Sequence, residues 1–142
     1  MHTAQSHENS LAKGVVGCNV SFIAIPFTSE EIRFFDSSAT DYSVTAISRQ
    51  AGERVVYITL DKNITPGSYD LKTDPQVFAY YYHKHESFGW IYRPEAGTLQ
   101  LNSVDFEKFE IDATFEFTAI NTPDKQPVAI TNGVLILTGP DA

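Results

Sequence analysis

Two alternating segments near the C terminus constrain the fold more than any other feature of the sequence. Between Phe109 and Thr138, apolar and polar residues alternate, so successive side chains of an extended strand would lie on opposite faces. The apolar set is Ile111, Ala113, Phe115, Phe117 and Ala119, and the polar set is Asp112, Thr114, Glu116 and Thr118. We predict two long strands joined by a loop, with one face in the core and the other in solvent.

The rest of the sequence indicates further short strands. Apolar, β-branched and aromatic runs recur between turn residues, and no long segment has a helical period. The predicted strands cover residues 15–27, 34–35, 42–48, 54–60, 68–72, 77–83, 88–92 and 97–101, with hairpin tips at 50–53 and 84–87 and turns at 66–67 and 93–96. This pattern predicts one all-β domain, a mainly antiparallel β-sandwich of about nine or ten strands, with a barrel as the alternative.

The ends and the composition of the chain bound its class. Residues 1–13 are predicted to be a flexible N-terminal tail, and residues 14–142 the sandwich domain. The 10 Lys and Arg residues, spread singly, against 18 Asp and Glu give a formal net charge of −8, which opposes binding to nucleic acid and to an anionic membrane surface. No apolar run approaches the ~20 residues of a membrane helix, so we predict no transmembrane segment.

Neither the single cysteine nor the N-terminal segment defines a cellular location. Cys18 cannot form an intrachain disulfide, and we expect it to be a small buried apolar side chain. Residues 1–10 lack the basic start and apolar middle of a secretory signal. A periplasmic, envelope or secreted location after processing and a cytoplasmic location both stay open.

Three short patterns in the second half of the sequence resemble a known family. They are GTLQL at 97–101, FEIDATFEFTAIN at 109–121 and ITNGVLIL at 130–137, preceded by ITPGSYDL at 64–71. They are similar to the GTLxI, IxGTFxFxA and ITNG signature of small bacterial β-sandwich lipoproteins of uncharacterised function. Ala113 replaces the usual glycine, and Val134-Leu135 replaces the usual aromatic residue. The resemblance implies the fold and an exported or envelope location, and it implies no activity; it does not carry over a lipid anchor, because no cleavage-site cysteine is visible.

A hairpin between residues 77 and 92 carries aromatic side chains on both faces. Aromatic rings with a polar group suit stacking on sugar rings or anchoring at a protein interface, and only one face of the hairpin can point into the core. The candidate ligand- or partner-binding residues are Tyr80, Tyr82, Trp90 and Tyr92 if one face is exposed, or Tyr81, His83 and His85 if the other is. The strand register decides between the two sets.

Catalytic and metal-binding chemistry is poorly supported by the sequence. His83 and His85, near Glu86, have the spacing of two ligands on one strand face, but no third and fourth ligand is evident, so we predict neither a metal nor a cofactor. Asp112 and Glu116 fall on the expected solvent face, and no G-x-S-x-G motif occurs. We therefore predict no catalytic residues and no enzyme activity.

These observations favour a non-catalytic binding or interaction module with its working surface on the aromatic hairpin. The expected partner is a protein or a carbohydrate. The alternatives are a carbohydrate-binding module and a small bacterial effector or toxin-associated protein, either pore-forming or an immunity component.

Overall fold

The computed structural model describes residues 11–85, 88–121 and 127–141. These residues form ten strands and one turn of 3-10 helix at Phe106–Lys108. The strands are β1 (Ala12–Val20), β2 (Ile23–Thr28), β3 (Glu31–Asp36), β4 (Asp41–Ser48), β5 (Glu53–Asp61), β6 (Gly67–Asp70), β7 (Val77–His85), β8 (Phe88–Asp105), β9 (Glu110–Asn121) and β10 (Pro127–Pro140).

All ten strands belong to one antiparallel sheet. Nine of them follow the order β2-β1-β10-β9-β8-β7-β5-β4-β3, and β6 pairs with β8. The two end strands of this order are separated in the chain only by Ser29 and Glu30, and Leu11 bridges to Arg33 of β3. The sheet therefore curls until its edges approach each other. The all-β prediction is confirmed, and the architecture is a half-barrel rather than clearly a sandwich of two sheets.

The two long C-terminal strands form as predicted. β9 pairs with β10 from Ile120 opposite Pro127 to Glu110 opposite Thr138. Along β9 the apolar set of side chains is buried, and the polar set is exposed except for the partly buried Asp112. Leu99, Leu101 and Leu135, on the neighbouring strands, are fully buried beside them. The concave side of the sheet is the hydrophobic core, because each strand directs its apolar set inwards.

The first predicted strand, residues 15–27, is wrong as a single element. The structure divides it into β1 and β2, with Val20 paired to Ile23 across a turn at Ser21-Phe22. The turn lacks the Asn-Gly or Asp-Gly signal of a two-residue hairpin loop, so the apolar run hides it. Pro26 lies in β2, which ends the sheet order, as expected for a residue that cannot donate to a strand ladder.

The predicted turn at residues 93–96 is also wrong. Residues 88–105 form one strand, β8, and the Pro94-Glu95-Ala96 segment is a bulge in its pairing with β9. On its other edge β8 pairs first with β7, up to Tyr92, and then with β6, from Thr98. Proline is tolerated at this change of partner, because bulges accommodate a residue without an amide hydrogen.

The beginning of the domain differs slightly from its predicted boundary. β1 begins at Ala12, inside the segment assigned to the tail, whereas residues 1–10 lie outside the described residues. Cys18 is buried as expected, and burial raises the pKa of its thiol to about 12. The part of the chain that the structure describes contains no helix that could span a membrane.

The ITNG segment is a β-bulge in β10. Ile130 pairs with Phe117 and Gly133 with Phe115, so the two residues Thr131 and Asn132 stand opposite the single residue Glu116. Asn132 has a φ of 55°, in the left-handed region. A Cβ at Gly133 would lie 2.5 Å from the ring and from the carbonyl oxygen of Phe115. The glycine is therefore required by close packing.

We expect Gly133→Ala to lower the free energy of unfolding by about 1–3 kcal/mol, because the added methyl group must displace Phe115 or the backbone. Urea denaturation of the purified protein measures this. Gly17→Ala, on the adjacent strand, is the matched control: its Cβ would come no closer than 3.4 Å to the Phe27 carbonyl oxygen, and we expect a loss below about 0.5 kcal/mol. Equal losses in the two variants would contradict the packing argument.

Candidate functional site

The strand register divides the predicted binding residues of the hairpin between two sides of the sheet. Tyr81 pairs with Tyr92 and His83 with Trp90, whereas Tyr82 pairs with Ile91. Trp90 and Tyr92 therefore share a face with Tyr81 and His83, and the expected grouping of Trp90 and Tyr92 with Tyr80 and Tyr82 is wrong. Alternation along each arm does not determine how the two arms of a hairpin are aligned, so it cannot assign them to a common face.

An aromatic cluster lies on the convex side of the sheet. We call Tyr57, Phe78, Tyr80, Tyr82 and Ile91 the outer aromatic face. Tyr57 of β5 pairs with Tyr80 of β7, and their rings stack with centroids 4.9 Å apart and planes at 23°. Phe78 approaches both rings edge-on, at 6.2 Å from Tyr57 and 6.1 Å from Tyr80. Cross-strand aromatic pairs of this kind stabilise a sheet, and here they also form a continuous apolar surface.

The outer aromatic face is only partly accessible to water. Phe78 is 42% exposed and Ile91 36% exposed, and the three tyrosines are half-buried. Burial raises the pKa of Tyr80, and the neighbouring Tyr57 and Tyr82 raise it further, while Arg93 opposes the shift. Tyr80 therefore stays a neutral hydrogen-bond donor at physiological pH.

Tyr82 lies across the returning arm of the hairpin. A Cβ at Gly89 would overlap the Tyr82 ring, so the absence of a side chain at this position lets the ring approach the backbone of β8. Ile91 is the direct cross-strand neighbour of Tyr82. Gly89 thus fixes where Tyr82 lies on the outer aromatic face.

The concave side of the hairpin is part of the core. Tyr81 and Tyr92 are buried, and their rings lie 5.9 Å apart. The Tyr81 hydroxyl accepts a hydrogen bond of 2.9 Å from Nε of Arg54, and burial raises the pKa of Tyr81 while this bond lowers it. These two tyrosines, predicted as binding candidates, are therefore structural in position.

Arg54 is a fully buried cation, 0% exposed, that links β5 to the edge strand β2. Its Nη1 donates to the carbonyl oxygens of Ile25 and Pro26, at 3.1 and 3.3 Å, and its guanidinium lies 5.7 Å from the centre of the Phe27 ring. Its Nη2 has no hydrogen-bond partner among the described residues. Removing a guanidinium from water costs free energy, and the hydrogen bonds to the carbonyl oxygens of β2 offset part of this cost.

A second group of rings lies at one end of the half-barrel. We call Phe22, His83, Phe88 and Trp90 the barrel-end cluster. Phe22, in the β1–β2 turn, stacks on His83 at 6.3 Å with planes at 7°, and Phe88 stacks on Trp90 at 6.5 Å with planes at 26°. Phe22 is 49% exposed and Phe88 67% exposed. His83 Nε2 is 2.8 Å from the carbonyl oxygen of Ala51, which fixes the ring orientation.

No metal-binding group of three or more His, Cys, Asp or Glu side chains occurs among the described residues. Glu86 and the side chain of His85, predicted as weak metal-ligand candidates, lie outside them. On the convex side of β8, β9 and β10, a shallow groove of about 420 Å³ is lined by Thr98, Gln100, Thr114, Phe115, Glu116, Asn132, Gly133 and Val134. Among these lining residues Glu116 is the one carboxylate, which does not provide the acid and base pair of a hydrolase.

Sequence reasoning missed Tyr57 and Arg54. Tyr57 lies in β5, outside the hairpin, and joins the outer aromatic face only through its pairing with Tyr80. The alternation of β5 does place Tyr57 opposite to Val56 and Ile58, which was an available signal of an outward position. Arg54 shares the inward set with Val56 and Ile58. Full burial of an arginine is rare, so alternation alone does not predict it.

The fold and the candidate surfaces define an all-β domain built from one curled antiparallel sheet, with aromatic residues on its convex side and at one end. Residues 26–137 match the family model described as Domain of unknown function (DUF6252), and the chain belongs to this family. Neither the comparison with curated proteins nor that with solved structures gave a match.

The two neighbouring tyrosines of β7 test which side of the hairpin faces the core. We expect Tyr81→Phe to lower the free energy of unfolding by about 1–3 kcal/mol, because the buried Nε of Arg54 loses its acceptor. Tyr80→Phe is the control, with an expected change below about 0.5 kcal/mol, because its hydroxyl group lies on the partly exposed convex side. Chemical denaturation measures both, and a larger loss for Tyr80→Phe would contradict the register.

Proposed function

We propose that this protein is a non-catalytic binding module and that the outer aromatic face is its partner surface. The single observation that carries the proposal is the cluster of Tyr57, Phe78 and Tyr80 on the convex side of the sheet, which the other described residues leave partly exposed. Contiguous exposed apolar patches with polar rims are typical of interaction sites on otherwise soluble surfaces. Tyrosine combines large contact area with a hydrogen-bonding group, and it is enriched among residues that dominate binding energy.

The ring geometry favours a protein partner over a sugar at this surface. Tyr57 and Tyr80 stack on each other, so one face of each ring is already occupied. Phe78 meets both rings at 73°, so it lies at a steep angle to them rather than extending a common plane. A sugar ring stacks best on a free, flat aromatic face, whereas side chains of a protein partner can pack between ring edges.

An envelope location, as in the lipoproteins that the sequence resembles, would suit such a module. The rings of the outer aromatic face lie on a convex surface and not in a cleft. A large partner can therefore contact them directly. We therefore propose the envelope location that the resemblance implies.

A photo-crosslinker in place of Phe78 tests the partner surface. The chain carrying Phe78→p-benzoylphenylalanine, produced in its native host and irradiated, should give a covalent adduct of one defined mass with its partner. The same crosslinker at Thr114, which is exposed on the polar part of the convex side, is the control and should give no such adduct. Adducts at both positions, or at neither, would remove the support for the outer aromatic face.

The barrel-end cluster favours a second candidate function, carbohydrate binding. Phe88 is highly exposed beside the half-buried Trp90, and the two ring centres are 6.5 Å apart, compared with 4.9 Å for Tyr57 and Tyr80. Because these two rings are less closely stacked and Phe88 is highly exposed, the Phe88 ring retains a face on which a sugar can stack. This candidate uses residues distinct from the outer aromatic face, so the two can be tested separately.

Trp90 is the one tryptophan of the sequence, so its fluorescence reports on this cluster alone. If the cluster binds sugars, titration with soluble cello-, xylo-, manno- and chito-oligosaccharides should shift or quench the emission for one class, with saturation. Phe88→Ala should abolish the change, and Phe78→Ala should preserve it. An emission spectrum that no oligosaccharide alters would reject the carbohydrate candidate and leave the first proposal intact.

A further inference from the structure

The outer aromatic face has a repeating pattern across its two central strands. Along β5 and β7, each cross-strand pair joins residues that would also suit each other across an interface. The pairs are Glu53 with Lys84, Val55 with Tyr82, Tyr57 with Tyr80 and Thr59 with Phe78. One pair joins opposite charges, two join apolar or aromatic side chains, and the last joins a threonine to a phenylalanine.

The flanking strands continue the pattern. Ile47 of β4 pairs with Val55, and Ile91 of β8 pairs with Tyr82, so the two isoleucines flank Val55 and Tyr82 in one cross-strand row, which continues to Glu31 of β3. In the next row, Thr45 of β4 pairs with Tyr57. Glu53 and Lys84 are both exposed, at the end of the patch nearest the hairpin tips. The patch thus has an apolar centre, with the Glu53 and Lys84 pair at one end and the exposed Arg93 beside Tyr80.

A two-fold axis that runs along the strands, between β5 and β7, exchanges the members of every pair. When two copies meet face to face about this axis, each residue of β5 lies over its own cross-strand partner in the other copy. Glu53 of each copy then faces Lys84 of the other copy, so this contact occurs twice. In the same way, Tyr57 faces Tyr80 and Ile47 faces Ile91. The surface of an isologous dimer must be self-complementary. The axis must bring opposite charges together, and apolar side chains must meet apolar side chains.

From this charge and apolar complementarity we infer that the outer aromatic face pairs with the same face of a second copy of this chain. The inference rests on the proposed function and names the partner of that surface. The two sheets pack with aligned strands, at the angle of about −30° that sheet twist imposes. The formal net charge of −8 opposes self-association in general, so the contact needs a local region where opposite charges meet.

The curvature of the sheet limits the strength of this dimer. The apolar core fills the concave side, so the outer aromatic face is convex, and contact is confined to the central strands β4, β5, β7 and β8. Small interfaces are typical of weak or transient association. We therefore expect a dissociation constant in the range of about 1–100 µM rather than a permanent dimer.

Sedimentation velocity over protein concentrations from about 1 µM to 1 mM tests the inference. The wild-type mass should rise from 15.8 kDa towards twice this value. Glu53→Lys and Lys84→Glu should each stay monomeric, because like charges then meet twice across the interface. Glu116→Lys is the control for the first variant: it changes the net charge by the same amount on a different part of the convex side, and it should dimerise like the wild type.

Charge exchange between chains gives the sharpest outcome. An equimolar mixture of the Glu53→Lys and Lys84→Glu chains should form a heterodimer, because both interfacial contacts regain opposite charges. The double variant Glu53→Lys/Lys84→Glu should recover self-association for the same reason. A wild-type chain that is monomeric throughout, or a mixture that stays monomeric while the wild type dimerises, would overturn the inference.

The crosslinking experiment separates failure of this inference from failure of the proposed function. An adduct at position 78 with a different protein, from a chain that is monomeric in solution, would keep the binding surface and reject the second copy. A monomeric chain with no adduct at position 78 would reject both. An adduct of twice the chain mass would support both.

Discussion

The structure depends on the separation of two surfaces by a single curled sheet. Every strand has one face on the core, and the curl turns all of these faces towards one interior. Since successive side chains point to opposite faces, one register assigns each residue either to the core or to the convex side. Packing in the core therefore decides, indirectly, which side chains are displayed outside. Tyr57 and Tyr80 are displayed because Val56, Ile58 and Ala79 beside them are buried.

The sequence predicted the parts of the fold in which local pattern and tertiary structure agree. The alternation of β9 anticipated its buried and exposed sets, and Gln50 to Glu53 anticipated the β4–β5 hairpin, where Ala51 and Gly52 both have positive φ. The turn at Ser21-Phe22 was missed because it lies inside an apolar run and lacks the Asn-Gly or Asp-Gly pair that marks a two-residue hairpin loop. The bulge at Pro94 was mistaken for a turn because proline occurs both in turns and in bulges. The pairing of β8 with β9 on both sides of Pro94 identifies the bulge.

The candidate site was predicted in composition but not in arrangement. The aromatic residues of the hairpin were identified from their sequence, and two of them, Tyr80 and Tyr82, lie on the convex side. Trp90 and Tyr92 were assigned to that side as well, and this assignment is wrong. Alternation does not predict it, because the alignment of the two arms depends on the hairpin tip. Tyr57 enters the site from a strand that precedes the hairpin by some 20 residues, through pairing of β5 with β7. Such long-range pairing has no local signal in one sequence.

Arg54 connects the two candidate surfaces through the core. It holds the carbonyl oxygens of β2 and the hydroxyl of Tyr81, and Tyr81 lies between Tyr80 and Tyr82 in β7. The β1–β2 turn also places Phe22 against His83 and Tyr92. The same contacts therefore hold the hairpin from its concave side and position the barrel-end cluster. Since Tyr81 and Tyr92 are buried in the core, the rings left at the surface are those of the convex side and of the barrel end. A shift of β7 by one residue would exchange the inward and outward rings and bury the present surface.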